Sequence, residues 1–239
     1  MTAALFWGLF SSAALYLGQL LARPMGRSER AIGLMMGFGA GTLISAVAYE
    51  LVPASSFTHG WLIAVSFLFG AVVYYFGDRW IDSSGGKQRS AVRSDPEGSG
   101  AAMFLGALLD GIPEAFILGL GLALGGSVSV AFVAAVFISN IPQGLAGTTS
   151  LQEVGTSNRR IATMWGLLTV ACGLASLAGY AMADRLQGAG ANASAFAGGA
   201  VLMMLTDSMV PESYRHGGRL TGLLTVLGFL VAGVLTFLP

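Results

Sequence analysis

The chain has 239 residues, 54% of them apolar and only 10% charged, with a mean hydropathy of +0.72. Soluble domains carry about 25% charged residues, so this chain lacks the polar surface to coat a globule in water and reads as an all-α membrane protein. Twelve basic and twelve acidic residues leave no net charge, which removes an electrostatic case for nucleic acid, and the single cysteine excludes a disulfide framework or a Cys-rich zinc module.

Crossing about 30 Å of hydrocarbon takes about 20 apolar residues. Eight such stretches are predicted as transmembrane helices of one polytopic domain over 1–239, near 3–22, 31–52, 60–80, 100–124, 128–151, 160–182, 192–212 and 219–238. The first is expected to stay as a helix rather than be cleaved, because no basic residue precedes it and Leu20-Leu21-Ala22-Arg23 offers no small-residue cleavage site. The polar, Gly/Ser-rich stretch 83–99 is expected to be a flexible loop between the third and fourth helices. The 35 glycines follow no three-residue period and suit close helix packing.

Of the twelve basic residues, Arg23, Arg27, Arg30, Arg79, Lys87, Arg89, Arg93, Arg159, Arg160, Arg215 and Arg219 fall at the ends joined after helices 1, 3, 5 and 7, and only Arg185 lies opposite. The positive-inside rule puts those ends and the 83–99 loop in the cytoplasm and both termini outside.

Two pairs of segments repeat. A shift of 158 lays Phe38-Gly39-Ala40-Gly41 over Phe196-Ala197-Gly198-Gly199, and Leu51-Val52-Pro53 over Met209-Val210-Pro211. A shift of 29 lays Asp110-Gly111-Ile112-Pro113-Glu114 over Ser139-Asn140-Ile141-Pro142-Gln143. Members of each pair cross in opposite directions, so the bundle is expected to hold inverted repeats, helices 1–3 and 6–8 around a helix 4/5 pair. Such repeats mark secondary transporters, whose sites lie at mid-membrane where Pro or Gly interrupts helices.

Asp110 lies about 15 Å into its helix, half the hydrocarbon thickness. Asp110 and Glu114 are one turn apart on one helix face, as are Asn140 and Gln143. Pro113 and Pro142 lack the amide hydrogens that would bond the carbonyls of Leu109 and Ile138. Carboxylates, side-chain amides and freed carbonyls converge there, and intramembrane acids are functional candidates by default. Oxygen ligands suit hard divalent ions.

These motifs resemble the His-Asn-x-Pro-Glu-Gly signature of the ZIP family of divalent-metal transporters, and Glu50-Leu51-Val52-Pro53 and Met209-Val210-Pro211-Glu212 are similar to the corresponding helix ends of that family. Asp110 and Gly111 stand where the family commonly has His and Asn, Gln143 stands for a Glu, and Ser139 occupies the usual first ligand position of helix 5. Cys172-Gly173-Leu174-Ala175-Ser176-Leu177 stands where helix 6 often carries a Glu. The resemblance implies import of a divalent metal into the cytoplasm by alternating access, with zinc the leading cargo beside manganese, iron, cobalt and cadmium. The metal is substrate, and no resident cofactor is expected. It further implies metal ligation by Asp110, Glu114, Asn140 and Gln143, a site shaped by Pro113, Pro142 and Ser139, and a homodimer in the plasma (inner) membrane.

Glu50, Asp207 and Ser176 are candidate pathway residues. Glu212 is expected to cap the cytoplasmic end of helix 7, His59 and His216 to be solvated loop residues, and Cys172 to be a packing residue. No Ser-His-Asp set, phosphate loop or paired-His motif occurs, so no enzymatic activity is expected. Two rival readings stay open: the same fold carrying protons or another small cation, and a non-transporting metal sensor or scaffold.

Overall fold

The computed structural model describes residues 1–25, 28–52, 60–81, 100–125, 129–183 and 190–236, and the loop expected over 83–99 lies outside them, as does His59. The described chain is a bundle of eight helices, α1 (Thr2–Met25), α2 (Glu29–Leu51), α3 (Trp61–Ile81), α4 (Gly100–Gly125), α5 (Val130–Glu153), α6 (Asn158–Met182), α7 (Gly190–Gly217) and α8 (Leu220–Thr236). Among the described residues there is no strand. Seven helices are long and apolar enough to cross a membrane, and the eighth, α8, is a shorter apolar helix. The protein is a multi-pass membrane protein, helical throughout its described spans. The helix is the natural form for such a segment, because lipid offers no partner for an open backbone polar group.

Local chemistry sets several helix ends. Ser28, Ser129 and Ser157 stand before α2, α5 and α6, and their hydroxyls accept the amide hydrogens of Ala31, Phe132 and Arg160 at 3.2, 3.1 and 3.4 Å. Gly218, at φ +67°, breaks the chain between α7 and α8 in a conformation that a side chain would disfavour.

The helix α7 continues past residue 212, where the apolar span was expected to end. Residues Leu205–Met209 form a π-helical turn, and α-helix resumes at Val210 with Pro211 in its first turn. The widened turn shifts the hydrogen-bond ladder by one residue, so a proline there removes no donor the helix needs. A second π-helical turn, Val47–Leu51, ends α2 at the equivalent place, 158 residues earlier.

Two groups of four helices emerge from the packing. The helices α1, α4, α5 and α6 form one, through extensive α1–α5, α4–α6 and α1–α6 contacts, and α2, α3, α7 and α8 form the other, through α2–α8, α3–α7 and α2–α7. The groups meet mainly along α2–α5, with smaller α4–α7 and α5–α8 contacts. Inside the second group, glycines bring backbones together at matched positions. A methyl built on Gly41 would run into the Thr225 carbonyl, and one on Gly199 into the Phe67 carbonyl, 158 residues away in each helix. Gly228 meets the Phe38 carbonyl as Gly70 meets the Phe196 carbonyl, again 158 apart.

Lipid is as apolar as leucine, so close van der Waals contact rather than water exclusion holds helices together. Gly199→Ala is therefore expected to cost about 1–3 kcal/mol through overpacking against backbone that cannot give way, measured as a lower thermal midpoint in detergent. Gly77, whose absent Cβ would meet nothing within 4 Å, is the control, and its Ala variant is expected to be unaffected.

The most lipid-exposed helix is α3. Trp61 and Trp80 stand at its two ends, 74% and 72% exposed, about 29 Å apart along the axis, and Leu68, Phe69 and Phe76 face outward between them. Interfacial tryptophans flanking an apolar band of that height fit the thickness of a bilayer.

Candidate functional site in the bundle centre

The proline in α4 and the proline in α5 stand inside continuous helices, as do the residues flanking them. Asp110 lies ten residues into the 26 of α4, near the middle of the helix. It borders a cavity of about 90 Å³ together with Gln143 of α5, Ser208 and Glu212 of α7, Tyr74 of α3 and Trp165 of α6. The Tyr74 hydroxyl donates to Asp110 Oδ1 at 2.9 Å. Trp165 is fixed from behind, its indole N–H donating to Thr148 Oγ1 at 3.0 Å within the buried cluster of Leu15, Ile161 and Leu168.

The cavity occupies one half of the bundle. Every residue that borders it falls in the half towards the α1–α2, α3–α4, α5–α6 and α7–α8 connections, the ends that carry Arg23, Arg30, Arg79, Arg159, Arg160, Arg215 and Arg219. Glu50, in the π-helical turn of α2, is half-buried at the opposite end.

Glu114, one turn beyond Asp110, is sealed from the cavity. It is 1% exposed, lies within electrostatic range of Asp110, and among the described residues neither of its carboxylate oxygens has a hydrogen-bond partner.

The other expected ligands turn elsewhere. Asn140 is buried and donates through Nδ2 to the Ser11 carbonyl of α1 at 3.3 Å, and Ser139 donates to the Val136 carbonyl at 2.9 Å. Ser139 also marks a close crossing with α2, where a methyl on Gly39 would sit 3.1 Å from its Cα. Thus Asp110 and Gln143 share the cavity, Glu114 lies behind it, and Asn140 ties α5 to α1. Pro142 borders a separate apolar crevice with Leu34, Phe38 and Ile138, while Pro113 is half-buried in α4.

Of the candidate pathway residues, Asp207 is exposed on α7, and Ser176 is fully buried, donating to the Ala4 carbonyl at 2.8 Å while its own carbonyl abuts Gly119. Ser176 is thus a packing contact joining α6 to α1 and α4. Among the described residues, no three His, Cys, Asp or Glu side chains cluster closely enough to hold a metal ion by themselves. A cation in the cavity would need Gln143, Ser208, Tyr74 or backbone oxygens as well.

No protein-family model and no curated protein matches the chain.

Sequence reasoning missed Glu212. Its assignment as a helix cap rested on an end for α7 that the structure moves to Gly217, and Glu212 is instead buried against the cavity. His216 was likewise expected in a loop. It lies in the last turn of α7, half-buried, with Nδ1 3.3 Å from Glu29 Oε2 at the start of α2. The spacing Ser208 to Glu212, one helical turn, is the signal that an uninterrupted helix would have offered.

Proposed function

We propose that this protein is a secondary carrier that imports a divalent metal cation, zinc being the leading candidate, across the plasma (inner) membrane by alternating access. Its termini lie outside and its basic ends in the cytoplasm, following the eleven-to-one distribution of basic residues. The ZIP-like motifs and the polar cavity in the basic half of the bundle support the same reading. Asp110 and Glu212 supply charge, Gln143 and Ser208 neutral oxygens, and Glu114 a second carboxyl behind the first.

The observation that carries the proposal is an asymmetry between matched positions. Exchanging α1 with α6, α2 with α7, α3 with α8 and α4 with α5 turns the α1–α5 contact into α6–α4 and the α2–α8 contact into α7–α3. The paired π-helical turns and the matched glycine contacts follow the same exchange. These features support an inverted repeat. Under the 29-residue shift, Gln143 corresponds to Glu114 and Asp110 to Ser139. Yet Gln143 and Asp110 border the cavity, whereas Glu114 and Ser139 are sealed, at 1% and 0% exposed.

A doubled bundle in which one member of each matched pair borders a cavity and the other is sealed fits one of two alternating arrangements. The other would close over Asp110 and open towards Glu114 and Glu50, by displacement of one helix group against the other. With the basic ends in the cytoplasm, the cavity lies on the cytoplasmic side.

Uptake of Zn²⁺, Mn²⁺ and Cd²⁺ into proteoliposomes containing the purified chain tests this. Saturable uptake of at least one ion, with competition by the others, is expected. Proton flux with no divalent uptake or competition would replace the reading with a proton carrier of the same fold, and no flux of either kind would favour a sensor or scaffold.

A further inference from the structure

Most of the side-chain hydrogen bonds among the described residues stay within one helix group. Tyr16 reaches Ala162, Gln19 reaches Asn158, Asn140 reaches Ser11 and Ser176 reaches Ala4, all inside the α1/α4/α5/α6 group. Ser66–Asn192 and Thr221–Ser213 stay inside the other. Thr42 reaches across from α2 to the Ala135 carbonyl, but at 3.4 Å and while donating to its own Gly39 carbonyl at 2.7 Å. Tyr74 is different. It stands on α3, which is packed on α7 and not on α4, and its hydroxyl crosses the cavity to the Asp110 carboxylate of α4 at 2.9 Å.

We infer that Tyr74 is the positioning residue of Asp110, and that its hydrogen bond from one helix group to a carboxylate on the other makes the cation affinity of that carboxylate depend on how the groups sit. This rests on the carrier reading above and adds to it a link between binding and movement.

The chemistry is that of an outer-sphere donor. A carboxylate offers about four lone-pair directions on two oxygens, so a phenol donating to Oδ1 takes up one of them and restrains the plane in which the carboxylate meets a cation. Hydrogen-bonding partners that orient ligating groups typically contribute about 10–100-fold to metal affinity. In a single rigid bundle such a donor would be a constant. Here donor and acceptor belong to different groups, so a displacement of the groups by even an ångström or two takes the bond beyond hydrogen-bonding distance. The carboxylate then loses that restraint, and the cation is held less tightly. Affinity is greatest in the arrangement where Tyr74 reaches Asp110 and falls as the groups part.

Tyr74→Phe in the full-length chain, reconstituted in lipid nanodiscs, tests this in two ways. The first needs no cation. Spin labels on Leu68→Cys of α3 and Leu167→Cys of α6, both outward-facing, in a Cys172→Ala background, report the separation of the groups. Tyr74→Phe is expected to broaden or shift that distance distribution. Tyr75→Phe, which loses only the contact that Arg79 makes to its hydroxyl at 3.3 Å, is expected to leave it unchanged.

The second reading is Mn²⁺ affinity, measured from the spin signal of the free ion. Tyr74→Phe is expected to weaken it about tenfold or more, with an unaltered thermal midpoint. A distance distribution in Tyr74→Phe identical to wild type overturns the link between the groups, and an unchanged Mn²⁺ affinity overturns the positioning role. If wild type binds no Mn²⁺, Zn²⁺ or Cd²⁺ at all, the metal-carrier reading falls, while the cation-free distance comparison still decides whether Tyr74 ties the groups together.

Discussion

Replacing Glu114 with Met is expected to make the protein more stable and at the same time inactive. Glu114 is buried with both carboxylate oxygens unpartnered among the described residues, and an unsatisfied buried polar group costs about 1–3 kcal/mol. Met matches its length, has no polar hydrogen to leave stranded, and adapts readily to an irregular space. The gain should appear as a rise of several degrees in the thermal midpoint, since about 1 kcal/mol corresponds to about 2–4 °C for chains of this size. Uptake in proteoliposomes should fall to background, because the second carboxyl is gone. Stability surrendered at one position for the sake of activity is the usual signature of a functional residue. A Met variant that is less stable than wild type and still transports would mean that Glu114 serves packing alone.

The second large effect concerns the cavity wall. Asp110→Ala is expected to reduce divalent uptake roughly a hundredfold, since removing the charged partner of a cation held in the cavity costs about 3 kcal/mol and each 1.4 kcal/mol is tenfold in affinity. Glu212→Ala should act in the same direction. Asp207→Ala, on an exposed position of the same helix, should stay within about twofold of wild type, as surface charges contribute little. The comparison is sharp because Asp207 and Glu212 are five residues apart. Equal losses from both would mean that the cavity is not the binding site, and that acidic charge on α7 acts only by attracting cations.

Much of this architecture is legible from composition alone. Eight apolar stretches in a chain this poor in charge can be satisfied only as helices in lipid, and the basic residues gathered at one set of ends give those helices a direction. The polar interruptions Asp110–Glu114 and Ser139–Gln143 are conspicuous because membranes exclude such residues, and their spacing places each pair on one helix face. What sequence could not convey is which face looks where. Asn140 and Gln143 are both on the polar side of α5, yet Asn140 bonds to α1 and Gln143 borders the cavity, a choice made by how α5 is rotated between its neighbours. Glu212 was hidden for a different reason. Pro211 beside it reads as the end of a helix, and only the π-helical turn at Leu205–Met209 lets the helix run on through it to Gly217.

The amino-acid sequence by itself determined that this protein is a helical membrane bundle with acids at mid-depth, because hydropathy, charge and helical period are properties of each segment separately. The pairing of Tyr74 with Asp110, the burial of Glu114 and the entry of Glu212 into the same cavity were decided only by the tertiary structure. Each depends on the rotation and offset of helices against one another, and those are set by where glycines such as Gly41 and Gly199 allow two backbones to touch.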